Sequence, residues 1–242
     1  ILFGIALLYA LTGTMFFSDL APAIEAQDVA SSPVLMTGWL MIIGGIAFKL
    51  SLVPFHIWTP DVYEGAPVPV TAFLATVSKA AMLAVTLRLL LVSDAFQYDA
   101  LMLVLTVMAA ASMMLGNFLA LLQANVKRLF AYSSIAHLGY LLVVIIAAAS
   151  VPGMLSVESM SFYVAAYFIM SLGGFAVISA LSNSGKELDM INDYQGLFWR
   201  NPWLAAVMIT VLFSLAGIPL TAGFIGKFYV FTSGVEGSLW FL

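Results

Sequence analysis

GGIAFKLSLVPFHIWTPDVYEGAPVPV, residues 44–70, opens inside an apolar run and then interrupts it. Lys49 sits within the run, Pro54 follows five residues later, and His56 comes just after. An acidic, proline-flanked turn with Asp61 and Glu64 closes the stretch. Proline has no N–H to donate, and its ring clashes with the carbonyl four residues earlier, so Pro54 disfavours continued helix. At membrane depth a broken helix survives only where protein or a wet cavity satisfies the freed backbone groups. The stretch therefore predicts a discontinuous membrane helix that carries a lysine.

The rest of the chain supports this reading. Its 242 residues are 63% hydrophobic and only 8% charged, with mean hydropathy +1.10, whereas a soluble domain carries roughly a quarter charged residues. Several apolar runs exceed the roughly 20 residues that a bilayer crossing needs. They do not alternate as barrel strands would. The expected fold is all-α: a polytopic transmembrane helical bundle, one transmembrane domain over residues 1–242. Seven apolar segments stand out, at 1–17, 34–57, 67–92, 100–122, 126–149, 159–182 and 202–231, with longer connections at 18–33 and 183–201. The last segment is too long for one straight crossing at 1.5 Å per residue. Residue 1 is Ile, and both ends read as partial spans, so the expectation is an internal stretch of a longer membrane protein.

Charge supplies orientation and exclusions. Loops 58–66, 123–127 and 183–201 hold or adjoin Lys127, Arg128, Lys186 and Arg200, which places them on the cytoplasmic side. Loops 18–33, 93–99 and 150–158 are acidic and belong opposite. The net charge of −4, with eight Lys and Arg, offers no basic surface for nucleic acid. Cys is absent, which removes thiolate-bound iron–sulfur clusters, Cys-ligated zinc and disulfides. No metal site is expected.

The residues that carry chemistry are ionisable side chains inside spans. Lys49, Lys79 and Lys227 each fall within an apolar segment. A lysine at mid-bilayer costs roughly 2.5–3.5 kcal/mol on insertion scales, so such residues usually have a function. Snorkelling to the headgroups is the plain alternative for Lys49 and Lys227. In the last segment, SLAGIPLTAGFIGKFY places Gly217 and Pro219 just ahead of Lys227, a second break beside a second lysine. Discontinuous helices recur in ion-coupled transporters. Ser133, His137 and Tyr140, in VKRLFAYSSIAHLGY, are spaced i, i+4, i+7 and share a helix face. Such a stripe conducts protons or acts as interhelical polar glue. Lys127 and Arg128 read as cytoplasmic anchors. His56 and Asp61 are candidates for relay or proton access, and Glu64 for a solvated turn. A buried lysine loses hydration, which disfavours its charged form and suits it to carry a proton reversibly. Any carboxylate partner for these lysines lies outside the seven segments.

Three motifs, GGIAFKLSLVPFHIWTPDVYEGAPVPVTAFLATVSKAA, NVKRLFAYSSIAHLGYLL and LAGIPLTAGFIGKFYVF, resemble the antiporter-like membrane subunits of respiratory complex I, in particular the subunit N (subunit 2) family of NADH–quinone oxidoreductases. The resemblance covers essentially the whole chain. It implies two inverted five-helix repeats, each with one broken helix, the chain holding the end of the first repeat and most of the second. It also implies proton translocation through Lys49, Lys79, Lys127 and Lys227, coupled to quinone reduction elsewhere; His137 joins them as a candidate from the stripe read above. Sister subunits and Mrp-type sodium/proton antiporters usually carry His where this sequence has Lys79; such an antiporter is the alternative. On the same basis NADH, FMN, iron–sulfur clusters and quinone belong to other subunits, and this chain binds no cofactor of its own. Its partners are then other membrane subunits of complex I, the lipid bilayer and protons, in a bacterial inner membrane.

Overall fold

The structure, a computed structural model, describes residues 1–148, 154–182, 188–237 and 239. Among them are twelve α-helices and no β-strand, only an isolated bridge between Asn125 and Met190. The helices are α1 (Leu2–Thr12), α2 (Phe17–Ala26), α3 (Pro33–Leu50), α4 (Trp58–Gly65), α5 (Val68–Ala75), α6 (Val77–Val92), α7 (Asp99–Leu121), α8 (Val126–Ala147), α9 (Met154–Leu181), α10 (Leu197–Arg200), α11 (Pro202–Ala216) and α12 (Ala222–Glu236).

By length and composition five helical stretches can cross a membrane: α3, α5–α6 taken together, α7, α8 and α9. The bent pair α1–α2, at 47°, makes a sixth if it is one span. The segment at 202–231, too long for one straight crossing, is split into two helices of 15 residues each, the second of the two discontinuous segments expected from the sequence. Two expected loops are also helical. Residues 17–26 form α2, whose Leu20 and Ile24, four apart on one face, are buried in the core. Residues 58–65 form α4, where Pro60 falls in the first turn, a position that needs no N–H donor.

α8 is the axis of the bundle. It is buried along most of its length and packs against α4, α7, α9 and α12. Its approach to α7 depends on small residues: a Cβ on Gly116 would stand 2.7 Å from the Ala136 backbone nitrogen. One apolar core lies among α1–α3, α6, α7 and the C-terminal half of α8, and a second lies among α9, α11 and the N-terminal part of α8. The N-terminal end of α8 is held by polar contacts. Arg128 Nη1 reaches Asp61 at 2.7 Å and Glu64 at 2.8 Å on α4, and its Nε donates to Gln123. Asn125 donates to Asp189, and the Val126 N–H donates to the Asp189 carbonyl. The three loop regions expected on the cytoplasmic side are therefore joined at one end of the bundle. Glu64, expected as solvated, is an ion-pair partner there.

Candidate functional site

The first break begins where the sequence chemistry puts it. The Pro54 ring excludes the carbonyl four residues earlier, and α3 ends at that residue, Leu50. Ser51 then turns into the left-handed region with φ 65, and the Val53–Pro54 bond is cis. The freed groups find partners. Leu52 N–H donates to Ala47 O, Trp58 Nε1 donates to Phe48 O at 3.1 Å, and Val53 N–H donates to the buried Ser112 Oγ at 2.9 Å. Lys49, in the last turn of α3, is exposed on the described chain rather than buried. His56 is half-buried in the connection to α4, and no hydrogen bond joins it to a lysine or to His137 among the described residues.

The second break runs from Gly217 to Thr221 and contains Pro219. Gly217 (φ 79) and Leu220 (φ 76) adopt left-handed conformations, and the Thr221 hydroxyl caps α12 by accepting from Phe224 N–H. Lys227 closes the gap from the far side. Its Nζ donates to Leu215 O at 2.9 Å and to Ala216 O at 3.1 Å, the carbonyls at the C-terminus of α11. That end carries partial negative charge, so an ammonium is favourable there. Lys227 Nζ also stands 5.3 Å from the centroid of Tyr140. Glycine suits 217 because its φ of 79 strains any L side chain, and a Cβ there would also lie 2.8 Å from Lys227 Cδ, pressing on that flexible side chain.

Lys79 marks a third interruption that the sequence did not announce. Thr76, with φ −115 and ψ −85, separates α5 from α6, and Lys79 lies in the first turn of α6. No proline or glycine sits at that point. Lys79 is 2% exposed, and its Nζ donates to Ser134 Oγ at 2.6 Å. The Tyr167 hydroxyl donates to the same oxygen at 2.8 Å. The Tyr63 ring lies 5.5 Å from Lys79 Nζ, and its buried hydroxyl has no hydrogen-bond partner among the described residues.

His137, 3% exposed, shares a 2.6 Å hydrogen bond between its Nδ1 and the Tyr163 hydroxyl. Its ring packs against Tyr140, Tyr163 and Tyr167. The Tyr140 hydroxyl accepts from Asn117. A cleft of about 530 Å³ between α7, α8, α11 and α12 is lined by Asn117, Gln123, Ser133, His137, Tyr140 and Lys227, so it reaches from the loop end to the second break. The expected stripe of Ser133, His137 and Tyr140 does face one space, but the lysine link uses Ser134. Lys127, expected as an anchor at the surface, is 1% exposed and donates from Nζ to Ala66 O at 3.1 Å, at the C-terminal end of α4.

Lys79, Ser134, Tyr167, His137, Tyr163, Tyr140 and Lys227 thus gather around α8 between two helix interruptions. Of these, Ser134, Tyr163 and Tyr167 were missed in the sequence, as was Asn117. The i, i+4 spacing of Tyr163 and Tyr167 places them on one face of α9, and that spacing was the available signal. The group offers amines, an imidazole and hydroxyls, buried at Lys79, Ser134, His137, Tyr163 and Tyr167 and half-buried at Tyr140 and Lys227, an arrangement that can hold and pass protons. Among the described residues no cluster of His, Cys, Asp and Glu suited to a metal ion occurs.

The profile described as NADH:quinone oxidoreductase/Mrp antiporter, transmembrane, matches residues 1–242. The chain is 50% identical over 240 residues to the NADH-quinone oxidoreductase subunit N of Methylococcus capsulatus, covering 99% of this chain and 48% of that protein. It is 55% identical over 244 residues to the subunit of the same name from Ectopseudomonas mendocina, again covering 48% of it. It therefore spans about half the length of the curated relatives it matches. A chain of respiratory complex I from Thermus thermophilus, solved with bound aureothin, superposes with TM-score 0.81 at 33% identity, over 99% of this chain and 49% of that one. A chain of the Mrp complex from Dietzia sp. superposes with TM-score 0.81 at 24% identity, over 98% of this chain and 42% of that one, and shows a shared fold.

Proposed function

We propose, from the premise that the chain belongs to the NADH:quinone oxidoreductase/Mrp antiporter transmembrane family, that it is part of a proton-translocating membrane subunit of an NADH-quinone oxidoreductase. The observation that carries this reading is the placement of Lys79, His137 and Lys227 around one buried helix, each held by a hydrogen bond, with Lys79 and His137 buried and Lys227 half-buried at a cleft. Protons move along these groups, with Tyr140 and Ser133 facing the cleft between His137 and Lys227. Lys127 and Asp61 stand at the loop end, where protons enter or leave. Lys49 takes part through a partner outside the described chain, since it is exposed here. The similarity to subunit N relatives at 50% and 55% favours this over an Mrp-type antiporter.

The two breaks are assigned to two inverted repeats of a multi-pass bundle in a bacterial inner membrane. Other membrane subunits of the complex pack beside it. The chain has no redox role of its own: NADH, FMN, iron–sulfur clusters and quinone are handled by other subunits, and the sequence contains no Cys to ligate a cluster. The test uses the full-length subunit in the assembled complex, reconstituted in vesicles. Lys79→Ala and Lys227→Ala should reduce the protons translocated per NADH oxidised. Unchanged translocation in both variants would overturn the proposal.

A further inference from the structure

We propose that Asn125 is a positioning residue: it seats the first turn of α8 between α4 and residues 188–191 and so holds Lys127 beneath the end of α4. This rests on the proton-translocation reading above, in which Lys127 stands at the loop end, and names what keeps it there. Asn125 is 5% exposed and is the N-cap of α8, its Oδ1 accepting from the Arg128 N–H at 3.1 Å. A cap needs only that oxygen. The Nδ2 of the same amide is committed as well: it donates to Asp189 Oδ2 at 2.8 Å and, at 3.4 Å, to Glu64 Oε1. Chemistry permits one orientation of this amide. An ionised carboxylate only accepts and a backbone N–H only donates, so the nitrogen faces the two carboxylates and the oxygen faces Arg128.

The backbone on either side of Asn125 makes the same connection. Val126 N–H donates to Asp189 O at 2.6 Å, and Ile191 N–H donates to Ala124 O at 2.9 Å. Asp189 is in turn fixed by its neighbour: Leu188 N–H donates to Ser182 Oγ just past α9, and Leu188 O accepts from the Tyr194 hydroxyl at 2.9 Å. On the other side, Lys127 Nζ reaches Ala66 O at 3.1 Å, two residues past Glu64. Lys127 lies in the first turn of α8, whose N–H groups have no carbonyl within the helix to bond. Its place is therefore set by whatever holds the cap. Asn125 also joins the two interrupted segments. α4 follows the first break, and residues 188–191 lead through α10 into α11, which ends at the second.

Variants of the full-length subunit test this in the assembled complex: Lys127→Ala, Asn125→Leu, Asn125→Leu with Lys127→Ala, Asn125→Asp, and Asn125→Asp with Asp189→Asn. The measurement is protons translocated per NADH oxidised in vesicles, with complex assembly checked by native gel. Asn125→Asp keeps the cap, since Asp serves there as well as Asn, but it removes the donor and sets a third carboxylate against Asp189 and Glu64. Adding Asp189→Asn returns an amide donor from the other side of the contact, and Glu64 keeps its Arg128 partner. Asn125→Leu and Asn125→Asp should fall to the level of Lys127→Ala, and the exchanged pair should return toward wild type. Asn125→Leu should cost nothing further once Lys127 is gone, because residues that act through one another are not additive. Additive loss in that double variant, wild-type translocation in Asn125→Asp, or an exchanged pair as impaired as Asn125→Asp would each overturn the proposal. If Asn125→Leu does not assemble, Asn125→Asp and the exchanged pair decide. If Lys127→Ala is unimpaired, positioning through Lys127 is wrong, while the broader reading still stands or falls on Lys79→Ala and Lys227→Ala.

Discussion

Lys227 Nζ lies 2.9 Å from the carbonyl oxygen of Leu215, twelve residues earlier and on the far side of a helix break. The lysine thereby acts as backbone donor to a helix that has ended. Its charge and its structural duty are the same contact, because a proton lost from Nζ weakens the hold on α11.

Replacing Lys227 with Met should loosen that break. The carbonyls of Leu215 and Ala216 would lose their donor; as these contacts are part-buried and exposed, the cost is that of an ordinary hydrogen bond, about 0.5–1.5 kcal/mol. Amide hydrogen exchange over residues 217–224 should accelerate in Lys227→Met relative to wild type. Identical exchange would mean that the lysine does not hold the break.

Gly217→Ala and Gly13→Ala offer a matched pair. Both positions have positive φ, 79 and 70, so each alanine meets a backbone penalty of about 1–2 kcal/mol. Only at 217 does the new Cβ also press on Lys227, at 2.8 Å from Cδ, whereas at Gly13 nothing lies within 4 Å. Thermal stability should fall in both, and proton translocation only in Gly217→Ala. Equal translocation in the two variants would separate Gly217 from the function of Lys227.

Lys79→Met should separate stability from activity. A buried ammonium carries a desolvation cost that an apolar side chain of similar volume avoids. Melting temperature of the assembled complex should be retained or raised while translocation drops. A marked loss of melting temperature would show that the Lys79–Ser134 contact is mainly structural.

Ser112→Ala tests the first break. It would leave the Val53 N–H buried without an acceptor, which costs about 1–3 kcal/mol. Loss of assembly or of several degrees in melting temperature is expected, with partial recovery in Ser112→Thr. A neutral Ser112→Ala would show that the break is held by Trp58 and Leu52 alone.

The ion pairs of Arg128 should matter less. Its side chain is 27% exposed, and those of Asp61 and Glu64 are 68% and 44% exposed, so solvent screening limits each pair to roughly 0.2–1 kcal/mol. A double-mutant cycle of Arg128→Ala with Glu64→Gln should return a coupling in that range that shrinks at high salt. A much larger, salt-independent coupling would contradict the exposed geometry.

The sequence by itself determined the membrane class, the two breaks and the lysines beside them. These follow from properties local in the chain. Hydropathy sums over a window, and proline acts on a carbonyl four residues away, which is why α3 ends at Leu50. The break at Thr76 lacked any such marker, and the helices at 17–26 and 58–65 were hidden by acidic and proline-bearing composition that suggested loops.

Only the tertiary structure decided which polar side chains meet. Successive helix residues point roughly 100° apart, so Ser133 and Ser134 face different neighbours; the stripe of Ser133, His137 and Tyr140 marked one polar face of α8, but not the face on which Ser134 meets Lys79 and Tyr167. Packing against α6 and α9 turns Ser134 to Lys79 and Tyr167. It buries Lys127 under the end of α4, leaves Lys49 exposed, and brings Arg128 to Asp61 and Glu64. Local chemistry set where the chain breaks and which charges it carries; the rotation of each helix about its own axis, set by its neighbours, determined what those charges touch.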